Sequence, residues 1–155
     1  MATSGFGQQS MDEFRRLRAD SGVRAALVFL NALGPYRFTA IYRREGDTMR
    51  NIHFVDRDHP EVLRSDDIAL AATYCQFAVE SGKPFSTRDA MSDLRLRGHT
   101  ARNQVRSYCG VPLLDSEGRA LGTMCSFDYV PVAQDGIDLE LMLELPPLLR
   151  PFEIS

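Results

Sequence analysis

The chain has no tryptophan, one lysine against seventeen arginines, and only three cysteines in 155 residues. An odd number of cysteines, none in a Cys-x-x-Cys spacing, argues against both a disulfide framework and a clustered-thiolate zinc site. No apolar run approaches the ~18 residues needed to cross a bilayer. The first ten residues lack the basic start and apolar core of a signal peptide, so a cytoplasmic location is expected. The net charge of −3 leaves no global footprint for nucleic acid or an anionic membrane. There is no GxGxxG, P-loop, nucleophile elbow or HExxH, and a Ser/His/Asp triad has no signal of its own. The excess of arginine over lysine reads as genome composition.

What remains is ordinary for one soluble domain: 44% hydrophobic and 25% charged residues. A chain of this length buries roughly two thirds of its unfolded surface, enough for a core without staples. Residues 1–9 read as a disordered tail and 10–155 as a single domain. Ser10, with Glu13 three residues on, has the form of a capping box. Apolar residues then recur at helical spacing to Leu33, with a break at Ser21-Gly22, and Gly34-Pro35 closes the helix. From Phe38 the period changes to two. Glu45-Gly46-Asp47 reads as a turn, and Met49 to Asp56 as the returning strand. Ile68 to Glu80 reads as a buried helix closed by Ser81-Gly82. A short strand at 85–88, a helix at 90–96 capped by Asp89, and a turn at 101–105 follow. Ser107–Leu114 and Arg119–Tyr129 flank Asp115-Ser116-Glu117-Gly118, a second hairpin with Gly118 suited to a left-handed position. Residues 137–145 read as a last amphipathic helix that Pro146-Pro147 should stop or kink. Strands grouped as hairpins with intervening helices predict an α+β fold with an antiparallel sheet.

Two segments resemble the GAF family of sensory domains. One is Tyr108-Cys109-Gly110-Val111-Pro112-Leu113, followed by Asp115, Gly118 and Leu121-Gly122-Thr123. The other is Thr73-Tyr74-Cys75, with Gly82-Lys83-Pro84 and Asp89-Ala90 ahead of Asp93. The resemblance covers roughly residues 20–145. It implies a profilin-like antiparallel sheet of about six strands. The terminal helices would pack on one face, and short helices and loops would roof a pocket on the other. It also implies binding of a small molecule and dimerisation through the N- and C-terminal helices. No Cys precedes a His, so the covalent bilin attachment of some family members is not expected. The Asn-Lys-x-x-x-Phe-x-x-x-Asp-Glu pattern of cyclic-nucleotide binders is absent. Free methionine sulfoxide reductases share the fold and use clustered cysteines, whose spacing and flanks differ from those here.

The candidate ligand-binding residues are Tyr42, Phe54, Cys75, Arg102, Tyr108 and Cys125. Tyr42, Phe54 and Tyr108 are amphipathic aromatics that suit either a pocket wall or ordinary core. Cys75 lies on a helix, as core or as ligand contact. For the second hairpin two registers are open. A bulge at Gly118 sets Asp115 opposite Arg119 and Cys109 opposite Cys125, whereas pairing Leu114 with Arg119 sends the two thiols to opposite faces. Arg95, Arg97, His99, Arg102 and Arg106 form a basic insert. By the family pattern it lies over the pocket mouth, where guanidinium groups would grip an anionic ligand; otherwise it is a solvated face. Asp89 and Asp93 look like a pair of carboxylates, but Asp89 reads as the cap of the following helix, and His53 with Asp56 makes a poor metal site.

The expected function is a small-molecule-binding sensory or regulatory domain. It would act in signal transduction on a partner in trans or within a longer signalling protein. No cofactor is named. The alternatives are a thiol-dependent redox enzyme resembling free methionine-(R)-sulfoxide reductase, and an interaction module with a vestigial pocket.

Overall fold

The period-two segments pair into a six-stranded antiparallel sheet in a computed structural model that describes residues 5–133 and Met142. Its elements are α1 (Gly5–Ser21), α2 (Val23–Leu33), β1 (Phe38–Glu45), β2 (Thr48–Asp56), β3 (Ile68–Ala69), α3 (Cys75–Ser81), β4 (Phe85–Thr87), β5 (Ser107–Leu114) and β6 (Ala120–Asp128). The strand order is β3-β2-β1-β6-β5-β4, with each neighbouring pair antiparallel. This is the α+β antiparallel sheet that the hairpin grammar predicts.

Central strands β1 and β6 are buried on both faces, which divides the core in two. On one face α1 and α2 supply Phe14, Val23, Ala26, Leu27 and Leu30, packed with Ile41, Val111, Leu113 and Met124 of the sheet. On the other face Phe38, Ala40, Tyr42, Tyr108 and Cys125 pack under Leu70, Tyr74, Cys75, Val79 and Leu96. Strand alternation sends neighbouring residues of β1 into different cores. A buried polar ladder ties α2 to the sheet. Asn31 donates to Thr39 Oγ1 at 3.0 Å, and Thr39 shares a 2.7 Å hydrogen bond with Ser126. These groups are satisfied internally, as buried polar atoms require.

Several boundaries differ from the sequence reading. Helix α1 begins at Gly5, and Ser10 lies buried inside it instead of capping it. The break at Gly22 is real, with φ 96°. The predicted helix 68–80 begins in extended form: Ile68 and Ala69 pair with Met49 and Thr48, and a 3-10 turn covers Leu70–Ala72. Helix α3 starts only at Cys75 and ends on the left-handed Gly82. Edge pairing with β2 outweighs helix propensity at 68–69, because the strand groups of β2 need partners. Instead of one helix at 90–96 there are two 3-10 turns. Asp89 accepts from Met91 N at the first, and Asp93 from Arg95 N at the second. Most of the predicted helix 137–145 lies outside the described residues; Met142 is helical and buried against Cys109.

The second hairpin follows neither predicted register along its whole length. Next to the turn, Asp115 N donates to Arg119 O at 2.8 Å and Leu114 opposes Ala120, as the Gly118 bulge requires. Leu113, however, opposes Gly122, which leaves Leu121 as an extra residue in β6. Every later pair is displaced by one, so Cys109 opposes Ser126 and Gly110 opposes Cys125. Cys109 therefore faces the helices and Cys125 the roof. The bulge sits where β6 meets β1 closely. A Cβ on Gly122 would fall 2.0 Å from the Tyr42 carbonyl oxygen, a backbone atom that cannot swing aside.

Gly122→Ala is accordingly expected to destabilise the domain by about 3 kcal/mol, the upper end of the usual overpacking penalty. Urea unfolding measures it. A loss under about 0.5 kcal/mol, the scale of a neutral surface change, would show that the strands separate freely there.

Candidate functional site

The roof-side core is incompletely filled. Between the sheet and the segments 65–75 and 101–105 lies a cavity of about 370 Å³. Its floor is made by Tyr42 from β1, Tyr108 from β5, and Cys125 and Phe127 from β6. Thr73, Tyr74 and Cys75 form one wall, Ala101, Gln104 and Val105 another, and Ser65, Asp66, Asp67 and Tyr129 also border it. The volume falls within the roughly 300–1,000 Å³ typical of small-molecule sites.

Two sulfurs meet here. Cys75, the first residue of α3, is fully buried, and its Sγ accepts from Tyr108 Oη at 3.3 Å and from Thr123 Oγ1 at 3.2 Å. The Cys125 thiol also hydrogen-bonds to it. Thr123 and Cys125 reach the same side because they are two apart on a strand. Tyr108 reaches Cys75 because Gly110 follows it on the same face: a Cβ at Gly110 would lie 2.2 Å from the Tyr108 oxygen. The missing side chain is the space that the phenol occupies. Tyr74 stands edge-on to Tyr108, with ring centroids 5.6 Å apart, and donates to Val105 O at 2.8 Å.

The profile of the GAF domain family matches residues 13–145. The chain belongs to the GAF domain family.

Solved structures place this GAF domain among varied neighbours. The GAF domain of an Acinetobacter phosphoenolpyruvate-protein phosphotransferase superposes with TM-score 0.72 at 12% identity, covering 94% of this chain and 92% of that one. The fRMsr of Staphylococcus aureus in complex with substrate gives 0.69 at 16% identity, covering 100% and 99%. The free methionine-R-sulfoxide reductase of Neisseria meningitidis, in complex with its substrate, gives 0.66 at 18% identity, covering 96% and 88%. Identities this low establish the fold alone. A search of curated proteins gives no match.

Of the six candidate residues, the GAF fold brings Tyr42, Cys75, Tyr108 and Cys125 together around the cavity. Phe54 lies on the same face but outside the lining, stacked on Phe38 with centroids 5.6 Å apart. Arg102 is also outside it. Its guanidinium donates to Ala90 O at 3.3 Å and Met91 O at 2.7 Å, fastening the insert to the preceding turn. Two more arginines of the insert behave alike: Arg106 pairs with Asp89 at 3.0 Å, and Arg95 pairs with Asp93 at 2.6 Å while its guanidinium lies over the Phe85 ring. These three arginines thus hold the insert together. Asp56, considered beside His53 as a metal ligand, is paired with Arg37 at 2.9 Å. Gly110, Thr123, Tyr74, Asp66 and Asp67 escaped the sequence reading as site residues. A glycine inside an otherwise apolar strand was the available signal for Gly110.

Electrostatics separates the two thiols. Hydrogen bonds from Cys125, Thr123, Thr73 and Tyr108 outweigh burial and pull Cys75 down to about 6. Cys125, the donor in the pair, is pushed well above its ordinary value by that same hydrogen bond and by burial. Burial likewise raises Tyr42 and Tyr108, and takes Tyr74 up to about 12. Cys75 is therefore the more nucleophilic sulfur, and Cys125 its neighbouring thiol. Among the described residues, no group of three or more His, Cys, Asp or Glu is placed to hold a metal ion, and no helix is long and apolar enough to cross a membrane.

The thiol pair carries a pH signature. An unfolded cysteine has a pKa near 9, whereas the hydrogen bonds around folded Cys75 pull it down to about 6. Its ionisation therefore adds no stability below pH 6, a growing amount between 6 and 9, and the full amount above 9. Cys125, shifted upward, removes stability above 9. The stability gap between wild type and Cys75→Ser, measured by urea unfolding, should widen from pH 6 to 9. Tyr108→Phe and Thr123→Val should move the thiolate absorbance at 240 nm to higher pH. A gap independent of pH would contradict the assignment.

Proposed function

We propose that this GAF domain is a small-molecule-binding regulatory module. The roofed cavity over Tyr42, Tyr108 and Cys125 is its ligand site. A bound molecule would contact the sheet and the segments 65–75 and 101–105 at once, so binding would favour one arrangement of the roof. The observation that carries this reading is the cavity itself, of about 370 Å³ and lined from all three sides. A vestigial pocket predicts no space of ligand size, and the cavity speaks against it. The output would pass to a partner in trans, to further domains of a signalling protein, or to a second copy through the α1 and α2 layer.

The placement of Cys75 and Cys125 at the cavity favours one second reading, a thiol-dependent reductase of small sulfoxides. Cys75 thiolate would attack the sulfoxide sulfur, and Cys125 would then close a disulfide on Cys75. The balanced change is two thiols and one sulfoxide giving one disulfide, one sulfide and water. An external dithiol would restore the pair. The sensory reading stands first because both sulfurs are buried to within 1% exposure.

Native mass spectrometry of the purified chain decides between them. The sensory reading expects a non-covalent small molecule on the wild type, lost in Ala101→Phe, which fills the cavity. It expects no dithiol-driven turnover of methionine sulfoxide. Turnover that disappears in Cys125→Ser would establish the enzyme instead. A wild-type cavity that takes up nothing from lysate or from a compound library would overturn the ligand reading.

A further inference from the structure

We propose that the cavity binds a small organic ammonium, its charged nitrogen facing Asp66 and Asp67 and its apolar portion lying against the aromatic lining. This rests on the reading of the cavity as a ligand site and adds the class of ligand.

The first argument is the sign of the charge. Among the described residues that line the cavity, the charged side chains are the carboxylates of Asp66 and Asp67, and none is Arg, Lys or His. That is notable in a chain with seventeen arginines. The nearby guanidinium groups are committed elsewhere. Arg64, two residues before Asp66, donates to Asn51 O at 3.0 Å, Arg102 to the carbonyls of Ala90 and Met91, and Arg106 to Asp89. One Asp67 oxygen accepts from Asn51 N at 2.9 Å, which orients the loop and leaves the second oxygen for another donor. An incoming anion would meet two carboxylates and no guanidinium or ammonium group in the lining itself. An ammonium meets two acceptors that can each take a charge-assisted hydrogen bond.

Aromatic surface supplies the second argument. Tyr42, Tyr74, Tyr108, Phe127 and Tyr129 all border the space. The hydroxyls of Tyr74 and Tyr108 are tied to Val105 O and Cys75 Sγ, so these residues offer ring surface and not a free donor. Ring faces carry negative potential that attracts cations and disfavours anions. In the wall, the donors around Cys75 favour its thiolate, a charge of the same sense. Carboxylates and ring faces therefore select one class of guest, and the volume suits an arylalkylamine.

Isothermal titration of the full chain with three near-isosteres tests this: 2-phenylethylammonium, 2-phenylethanol and phenylacetate. The ammonium should bind at least about tenfold tighter than the alcohol, and phenylacetate should give no heat. Asp66→Asn, at an exposed loop position, should weaken the ammonium about tenfold and leave the alcohol unchanged. Asp67→Asn should act likewise, with a thermal-melt control because its carboxylate also orients the loop. Equal or tighter binding of the alcohol or of phenylacetate overturns the ammonium assignment while the ligand reading stands. Undiminished ammonium affinity in both Asn variants overturns it too. If no probe binds, the ammonium assignment falls. The ligand reading then falls with it only when native mass spectrometry also finds the cavity without a copurified guest.

Discussion

One backbone contact organises the site: β6 passes β1 so closely at Gly122 that a side chain there would collide with the Tyr42 carbonyl. At that level β6 carries the extra residue Leu121, and β2 carries a matching irregularity opposite the Ile41/Tyr42 step of β1. Bulges bend strands and raise their local twist, so two of them at one end let the sheet curl. The same extra residue decides faces. Because side chains alternate with period two, one inserted residue reverses every orientation beyond it. Thr123, Cys125 and Phe127 thus turn toward the roof, and Met124 and Ser126 toward the helices.

From that division the two halves of the molecule acquire different physics. The helix side is closed, packed with aliphatic residues and Phe14, and pinned by Asn31, Thr39 and Ser126. The roof side is built from short 3-10 turns and loops, which cannot cover a sheet as evenly as a long helix. Its aromatic residues hold the remaining space open by bracing one another and by spending their hydroxyls on Val105 and Cys75. Arginine supplies the stiffening of the roof. Arg95, Arg102 and Arg106 tie the insert to Asp93, to the carbonyls of residues 90 and 91, and to Asp89.

The fold leaves the function to the cavity, since one architecture hosts unrelated activities. The neighbours make the point, as a phosphotransferase GAF domain and sulfoxide reductases superpose on this chain about equally well. The local chemistry is more particular. A sulfur surrounded by donors has its thiolate form favoured, its partner keeps its proton, and the lining presents carboxylates and no guanidinium group.

Both hairpins, the left-handed turns at Gly82 and Gly118 and the Asp89 cap were legible because their causes lie within a few residues: alternation, glycine stereochemistry and a side-chain acceptor beside free amides. Family motifs extended that to the sheet and its helical layer. Ile68–Ala69 was misread because a two-residue edge strand exists only through its partner, Thr48–Met49. Arg102 was assigned to the ligand because composition reveals a charge but not the carbonyl it will meet. Cys75 and Cys125 lie fifty positions apart and become neighbours only when α3 folds over β6, while Cys109, closer in sequence to Cys125, is sent to the opposite face by one inserted leucine. The sequence by itself determined the two hairpins and the helical layer beside them, whose energetics are local or strongly patterned. Tertiary structure alone decided which side chains share the cavity, because that depends on a one-residue offset fixed by a steric contact between strands eighty residues apart in the chain.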